Sequence, residues 1–307
     1  MQTVPIAILG IIVLVIAIFF LIGVEYFYKK ITEDQITQKK FFEEIKPKSI
    51  FLMGSSHIGR INATKVEEYS NLENTIYNIA IDGNHPKQRV NQLEMIIKSN
   101  PKTILYGMSY RDFQFPQNNL IITKEDFDLR RDIICNFQDY FPESPFFQIK
   151  NILTNITGMG LMEDSKQIIQ SNTPFITYKL NERPLEEPDF SENNKNIFNK
   201  WNDPNRTFCE ISSIKKIISE AKDNGINIIL ITTPLHSSYL ELITNSQKDN
   251  FEVVKKYLTQ KYNVKIFEFE NKYSSIEDIW YDSSHLLVSK NVDIFNRDIA
   301  KILDDEQ

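Results

Sequence analysis

The stretch Ser49-Ile50-Phe51-Leu52-Met53-Gly54-Ser55-Ser56-His57 decides the reading of the chain. A short apolar run closed by a turn glycine reads as a buried strand. The pattern returns at Thr75–Ala80, Thr103–Tyr106, Ile226–Thr232 and Val264–Phe269. Strands apolar at most positions belong to parallel sheets covered on both faces. Helical periodicity fills the gaps, over residues 86–99, 211–224, 247–261 and 288–303. Gly225, after Asp223-Asn224, supplies a left-handed C-cap for one of these helices. Alternation of this kind predicts an α/β fold with a three-layer α/β/α, doubly wound parallel sheet.

Composition narrows the function classes. The 307 residues are 41% hydrophobic and 12% aromatic, ample for a packed core. Net charge is −6 and no basic stripe occurs, which argues against a nucleic-acid partner. The two cysteines, Cys135 and Cys209, allow one disulfide, but the expectation is two buried thiols. With no CxxC or Cys/His spacing, no structural zinc site, no other metal and no cofactor are expected.

Residues 5–24, Pro5 to Val24, carry no charge at all. About 20 apolar residues in a helix span the hydrocarbon core of a bilayer. A cleaved signal peptide would need a basic start and a small-residue cleavage site. This start has no Lys or Arg, and Tyr26 and Tyr28 suit an interfacial aromatic belt. The expected organisation is a transmembrane anchor at 1–30, a juxtamembrane segment at 31–47, and an α/β domain at 48–307. An insertion at about 113–200, rich in Phe, Asn, Pro and Glu, is too long for an ordinary connection. It reads either as a cover for the active site or as a surface elaboration.

The chemistry-bearing residues fall at strand ends. Ser55, Ser56 and His57 follow the first strand, Gly83 the second, and Ser109 the third. Open α/β sheets bind ligands beyond the carboxyl ends of their strands. Near the C-terminus, Asp282 precedes His285 by one helical turn, a spacing that puts carboxylate and imidazole on one face of a helix. That pairing orients a base that could take a proton from a serine hydroxyl. A helix N-cap at Asp282 with an incidental histidine is the bland alternative. His57, His85 and His236 all fall just past strand ends and could line one pocket.

In order, these blocks resemble the SGNH (GDSL-like) hydrolase superfamily. Gly54-Ser55-Ser56-His57 is similar to its first block, Asn78 to Gly83 to its second, Gly107-Met108-Ser109-Tyr110 to its third and Asp282-x-x-His285 to its last. The resemblance implies a flavodoxin-like sheet. It also implies Ser56 as nucleophile, His285 as base, Asp282 as its partner, and Gly83 as oxyanion donor. His57 and His236 are expected beside the substrate. Ser109 stands where the family's third-block Asn donates to the oxyanion, and losing such a donor costs about 100- to 1000-fold in rate.

The Gly-Ser-Ser variant behind a membrane anchor resembles the surface-polymer acylation branch, similar to proteins of D-alanine transfer and alginate acetylation. The resemblance implies a serine esterase or O-acyltransferase acting on acylated surface glycans, beside a multi-span membrane acyltransferase. Two alternatives stay open: a catalytically weakened glycan-binding or scaffold subunit, and a cytoplasm-facing lipid esterase. Lys29, Lys30, Lys39 and Lys40 after the span favour a cytoplasmic domain. The resemblance favours a single-pass protein of the cell membrane with its domain outside, since large domains translocate largely regardless of charge.

Overall fold

The computed structural model describes residues 38–116, 121–123, 135, 204–288 and 293–306. The chain divides into two units, and helix α1 (38–44) is the described part of the first. Two i,i+4 pairs line α1, Lys39–Glu43 at 3.9 Å and Lys40–Glu44 at 3.7 Å. Among the described residues, no helix is long and apolar enough to cross a membrane. The expected span at 5–24 and most of the expected insertion lie outside them.

The second unit is built on five parallel strands: β1 Ile50–Met53, β2 Ile76–Asn78, β3 Thr103–Met108, β4 Asn227–Thr232 and β5 Lys265–Phe267. Their order, β2-β1-β3-β4-β5, is the doubly wound order of flavodoxin-like sheets. The register runs from Ile50 opposite both Ile76 and Thr103 to Met108 opposite Thr232. All four β1 side chains are fully buried, so this interior strand needs an apolar residue at every position.

One core cluster joins Ile50 and Leu52 of β1, Leu105 of β3, and Ile229 and Ile231 of β4. To these it adds Val66 of helix α3 (Ala63–Tyr69) and Phe295, Ile299 and Leu303 of the C-terminal helix (Asp293–Asp305). Side chains alternate across a sheet, so Phe51, Met53 and Tyr106 point to the opposite face. Helix α3 follows a short α2 (Ser56–Gly59). The remaining helices are α4 Pro86–Val90, α5 Leu93–Lys98, α6 Tyr110–Phe113, α7 Pro204–Asp223, α8 Ser237–Leu240, α9 Asn245–Tyr262 and α10, the C-terminal helix.

Three expectations change in detail. The single helix expected over 86–99 is two, broken between Val90 and Leu93. The helix expected from 288 begins at Asp293. The cysteines are not free thiols: Cys135 and Cys209 form a disulfide with their Cα atoms 5.3 Å apart. A separation of 74 residues says nothing about proximity; helix α7, which carries Cys209, creates it.

Behind the strand ends, α4, α6 and α7 enclose a buried polar cluster. Asp112 sits 3.3 Å from Nδ1 of His85. Glu210 of α7 accepts the Lys87 N–H at 2.8 Å. Burial pushes the Glu210 carboxyl from an ordinary 4.5 up to about 7. A carboxyl with a raised folded pKa stabilises the fold fully below its unfolded pKa, and that contribution is lost as pH rises through the folded value. Stability is therefore expected to fall between pH 4.5 and 7 by roughly 3 kcal/mol from this group. Glu210→Gln keeps an acceptor for the Lys87 N–H. It is expected to flatten that decline and to be the more stable form at pH 8, as read by urea unfolding at several pH values.

Candidate active site

The first site element follows from two glycines. Gly54 ends β1 at φ +156°, where a Cβ would lie 2.6 Å from Ile58 Cγ1. A Cβ on Gly107, in β3, would lie 2.0 Å from Ile58 Cδ1. Ile58 therefore seats directly on the ends of two neighbouring strands, drawing the first turn of α2 against the sheet. Asn78, at the end of β2, holds the other side of that turn. Its Nδ2 donates to the carbonyls of Ile58 and Ile61, both at 2.8 Å, and its Oδ1 accepts the Ala80 N–H at 3.1 Å. The result is a rigid mount for Ser56, the first residue of α2.

The second element is a closed loop, not the helical turn expected from the Asp282/His285 spacing. Trp280 and Leu286 form an antiparallel bridge, and the Tyr281 N–H donates to the His285 carbonyl at 2.8 Å. Asp282 Oδ1 accepts the backbone N–H groups of Ser284 and His285, both at 2.8 Å. Carboxylates two and three residues before such donors make tight turns. The same spacing thus serves a turn as well as a helix. His236, the N-cap of α8, donates its backbone N–H to the Ser283 carbonyl at 3.0 Å and sets its ring edge-on to Trp280 at 5.7 Å.

Mount and loop meet beyond the strand ends. Ser56 Oγ lies 2.8 Å from His285 Nε2, and His285 Nδ1 lies 2.9 and 2.8 Å from the two Asp282 oxygens. A carboxylate only accepts, so Nδ1 carries the imidazole proton and Nε2 accepts from the Ser56 hydroxyl. Burial alone would raise the Asp282 carboxyl. The hydrogen bond and charge of His285, with the N–H groups of Ser284 and His285, instead hold it well below the usual carboxylate range. Asp282 therefore stays ionised behind the ring.

The other expected residues are placed differently. His57 is buried rather than facing a ligand, its Nδ1 3.2 Å from Ser55 Oγ and its ring stacked on His285. The spatial partner is remote in sequence, so nothing in the chain signalled that contact. Gly83, at φ +69°, lies in an open turn closed by the Asn84 N–H on the Ile81 carbonyl, with nothing within 4 Å of where a Cβ would stand. Ser109 is buried and its hydroxyl donates to Asp112 Oδ2 at 2.9 Å. With its backbone N–H on the same oxygen, it caps α6. The Ser109-x-x-Asp112 spacing is a capping-box signature that reveals this role from sequence alone.

The His236 Nδ1 is 2.8 Å from Ser238 Oγ, and His85 pairs with Asp112, so among the described residues the histidines form no ligand set with Asp282. The carboxylates that do converge are Glu252, Glu268 and Glu270. They surround the buried Lys255 ammonium at 2.6, 2.8 and 2.9 Å, so a protein cation already occupies the point where they converge.

No family model and no curated protein matches the chain. Among solved structures it is similar to an acetyl xylan esterase, at 11% identity, TM-score 0.40, over 83% of this chain and 97% of that one. It is also similar to a Bacteroides fragilis protein described as an acylhydrolase, at 13% identity, TM-score 0.42, over 87% of this chain and 93% of the other.

Proposed function

We propose that this chain is an SGNH-type serine esterase or O-acyltransferase. The observation that carries the reading is the continuous line from Ser56 Oγ through the His285 imidazole to Asp282, each link at 2.8 Å. Ser56 Oγ attacks an acyl carbonyl carbon while His285 Nε2 takes the hydroxyl proton. Asp282 holds the ring in the productive tautomer and stabilises the imidazolium. The N–H groups of Ser56 and Gly83 receive the oxyanion. Collapse expels the alcohol, protonated by His285, and leaves an acyl-Ser56. Water or a sugar hydroxyl, activated by the same imidazole, then takes the acyl group. Water makes the protein an esterase and a sugar makes it a transferase.

The substrate class is an acylated surface glycan or other surface polymer. The chain is held to the bilayer by residues 5–24, with the domain outside the cell and a multi-span acyltransferase as companion. The Cys135–Cys209 disulfide supports that side of the membrane, because such bonds persist in oxidising compartments. A weakened, glycan-binding version finds support in one observation, the commitment of the Ser109 hydroxyl to Asp112.

Labelling with a fluorophosphonate probe tests the reading. The wild-type chain is expected to label on Ser56, Ser55→Ala to label normally, and Ser56→Ala not at all. An unlabelled wild type would move the protein to the binding class. Label that survives in Ser56→Ala but vanishes in Ser55→Ala would make Ser55, not Ser56, the nucleophile.

A further inference from the structure

His57 stands one residue after Ser56, yet it makes no contribution to the proton path from Ser56 to Asp282. Its ring lies on that of His285 with centroids 4.7 Å apart and planes 12° from parallel. The residue is 4% exposed, and among the described residues its buried Nε2 has no hydrogen-bond partner. Among the described residues its side chain's polar tether is Ser55 Oγ, on the same rigid mount.

We propose that His57 is a positioning residue for His285: a neutral aromatic platform that holds the plane of the base so that Nε2 stays aimed at Ser56. The proposal rests on the serine-hydrolase reading above. Asp282 holds the ring at Nδ1 and Ser56 at Nε2, both in the plane of the imidazole, and a flat partner against its face resists tilting out of that plane. A misplacement of about 1 Å at a reacting group costs on the order of 100-fold in rate.

The platform must stay uncharged, because His285 becomes an imidazolium in the reaction and two stacked cations repel. Burial, then the neighbouring His285 and Arg111, push the His57 imidazole well below its ordinary value; Asp282 pulls the other way and His85 adds to the push. The positive charge that forms during the reaction therefore does not pass to His57 and stays on the ring beside Asp282. An aromatic face also attracts a cation held against it.

The test compares His57→Phe, which keeps a flat ring, with His57→Gln, which keeps a polar side chain without one. All are made in the full chain and assayed with p-nitrophenyl acetate. His57→Gln is expected to lose about 10- to 100-fold in kcat with KM within about threefold of wild type. His57→Phe is expected to recover to within about threefold of wild type. Wild-type kcat in His57→Gln, or no recovery in His57→Phe, overturns the proposal. Should the variants fail to fold, NMR of the wild type decides. An upfield ring-current shift on the His285 ring protons, with His57 neutral across the pH range in which activity rises, sustains it. A His57 that takes up a proton over that range overturns it. Fluorophosphonate labelling keeps the two readings apart. An unlabelled wild-type Ser56 is a failure of the hydrolase reading and removes this one with it. A labelled Ser56 with an indifferent His57→Gln is a failure of the platform alone.

Discussion

His285→Ala is expected to lower kcat for ester hydrolysis by about a million-fold, and Asp282→Asn by about ten-thousand-fold, with p-nitrophenyl acetate as substrate. The first removes the imidazole that stands 2.8 Å from Ser56 Oγ, placed to take its proton. The second is the more informative, because the loop survives it. The side-chain oxygen of the Asp282→Asn variant still accepts the Ser284 and His285 N–H groups that the carboxylate accepts at 2.8 Å. The new amide then takes the place of Oδ2, 2.8 Å from His285 Nδ1, as a donor, which favours Nδ1 as acceptor and the proton on Nε2. A protonated Nε2 on a neutral ring cannot receive the Ser56 proton. Equal losses in the two variants would mean that Asp282 builds the loop rather than setting the tautomer.

The second large effect concerns stability. Asn78 is fully buried and makes three hydrogen bonds, to Ile58, Ile61 and Ala80. Asn78→Ala takes from the Ile61 carbonyl and the Ala80 N–H their side-chain partner inside the fold, and removes one hydrogen bond from the Ile58 carbonyl, which also accepts the Ile61 N–H at 2.9 Å. Each orphaned group costs about 1–3 kcal/mol, so a loss on the order of 2–6 kcal/mol is expected, a large share of the roughly 5–15 kcal/mol that holds a domain together. Asn78→Asp has nearly the same shape, yet it is expected to be at least as damaging. It sets a carboxylate against the two carbonyls that the amide served. Urea unfolding measures both, and a near-neutral Asn78→Asp would show that Asn78 does not brace the Ser56 mount. In whatever fraction stays folded, fluorophosphonate labelling of Ser56 is expected to slow, since the turn that carries it loses its brace.

Much of the architecture was legible in the linear chain. Runs such as Ile50–Met53 must be central strands, because a strand covered on both faces has no position for a polar side chain. The glycines at 54 and 107 and the hydroxyl at 56 were placed at strand ends by the same pattern. Local rules also contained more than periodicity: Ser109 and Asp112 write out a helix cap, which explains why that hydroxyl is spent on its own chain.

What the chain alone determined is the set of elements and which end of each carries chemistry, because strand and helix periods and turn residues act over a few neighbouring positions. Only the tertiary structure decided who meets whom. It joined Ser56 to His285 across 229 positions, Cys135 to Cys209 across 74, and the face of His57 to the face of its fellow imidazole. It also decided that Asp282 and His285 share a tight turn rather than a helix. Such meetings depend on how the layers stack and where connections return, and no local propensity encodes a distance between segments that touch only after the sheet has closed.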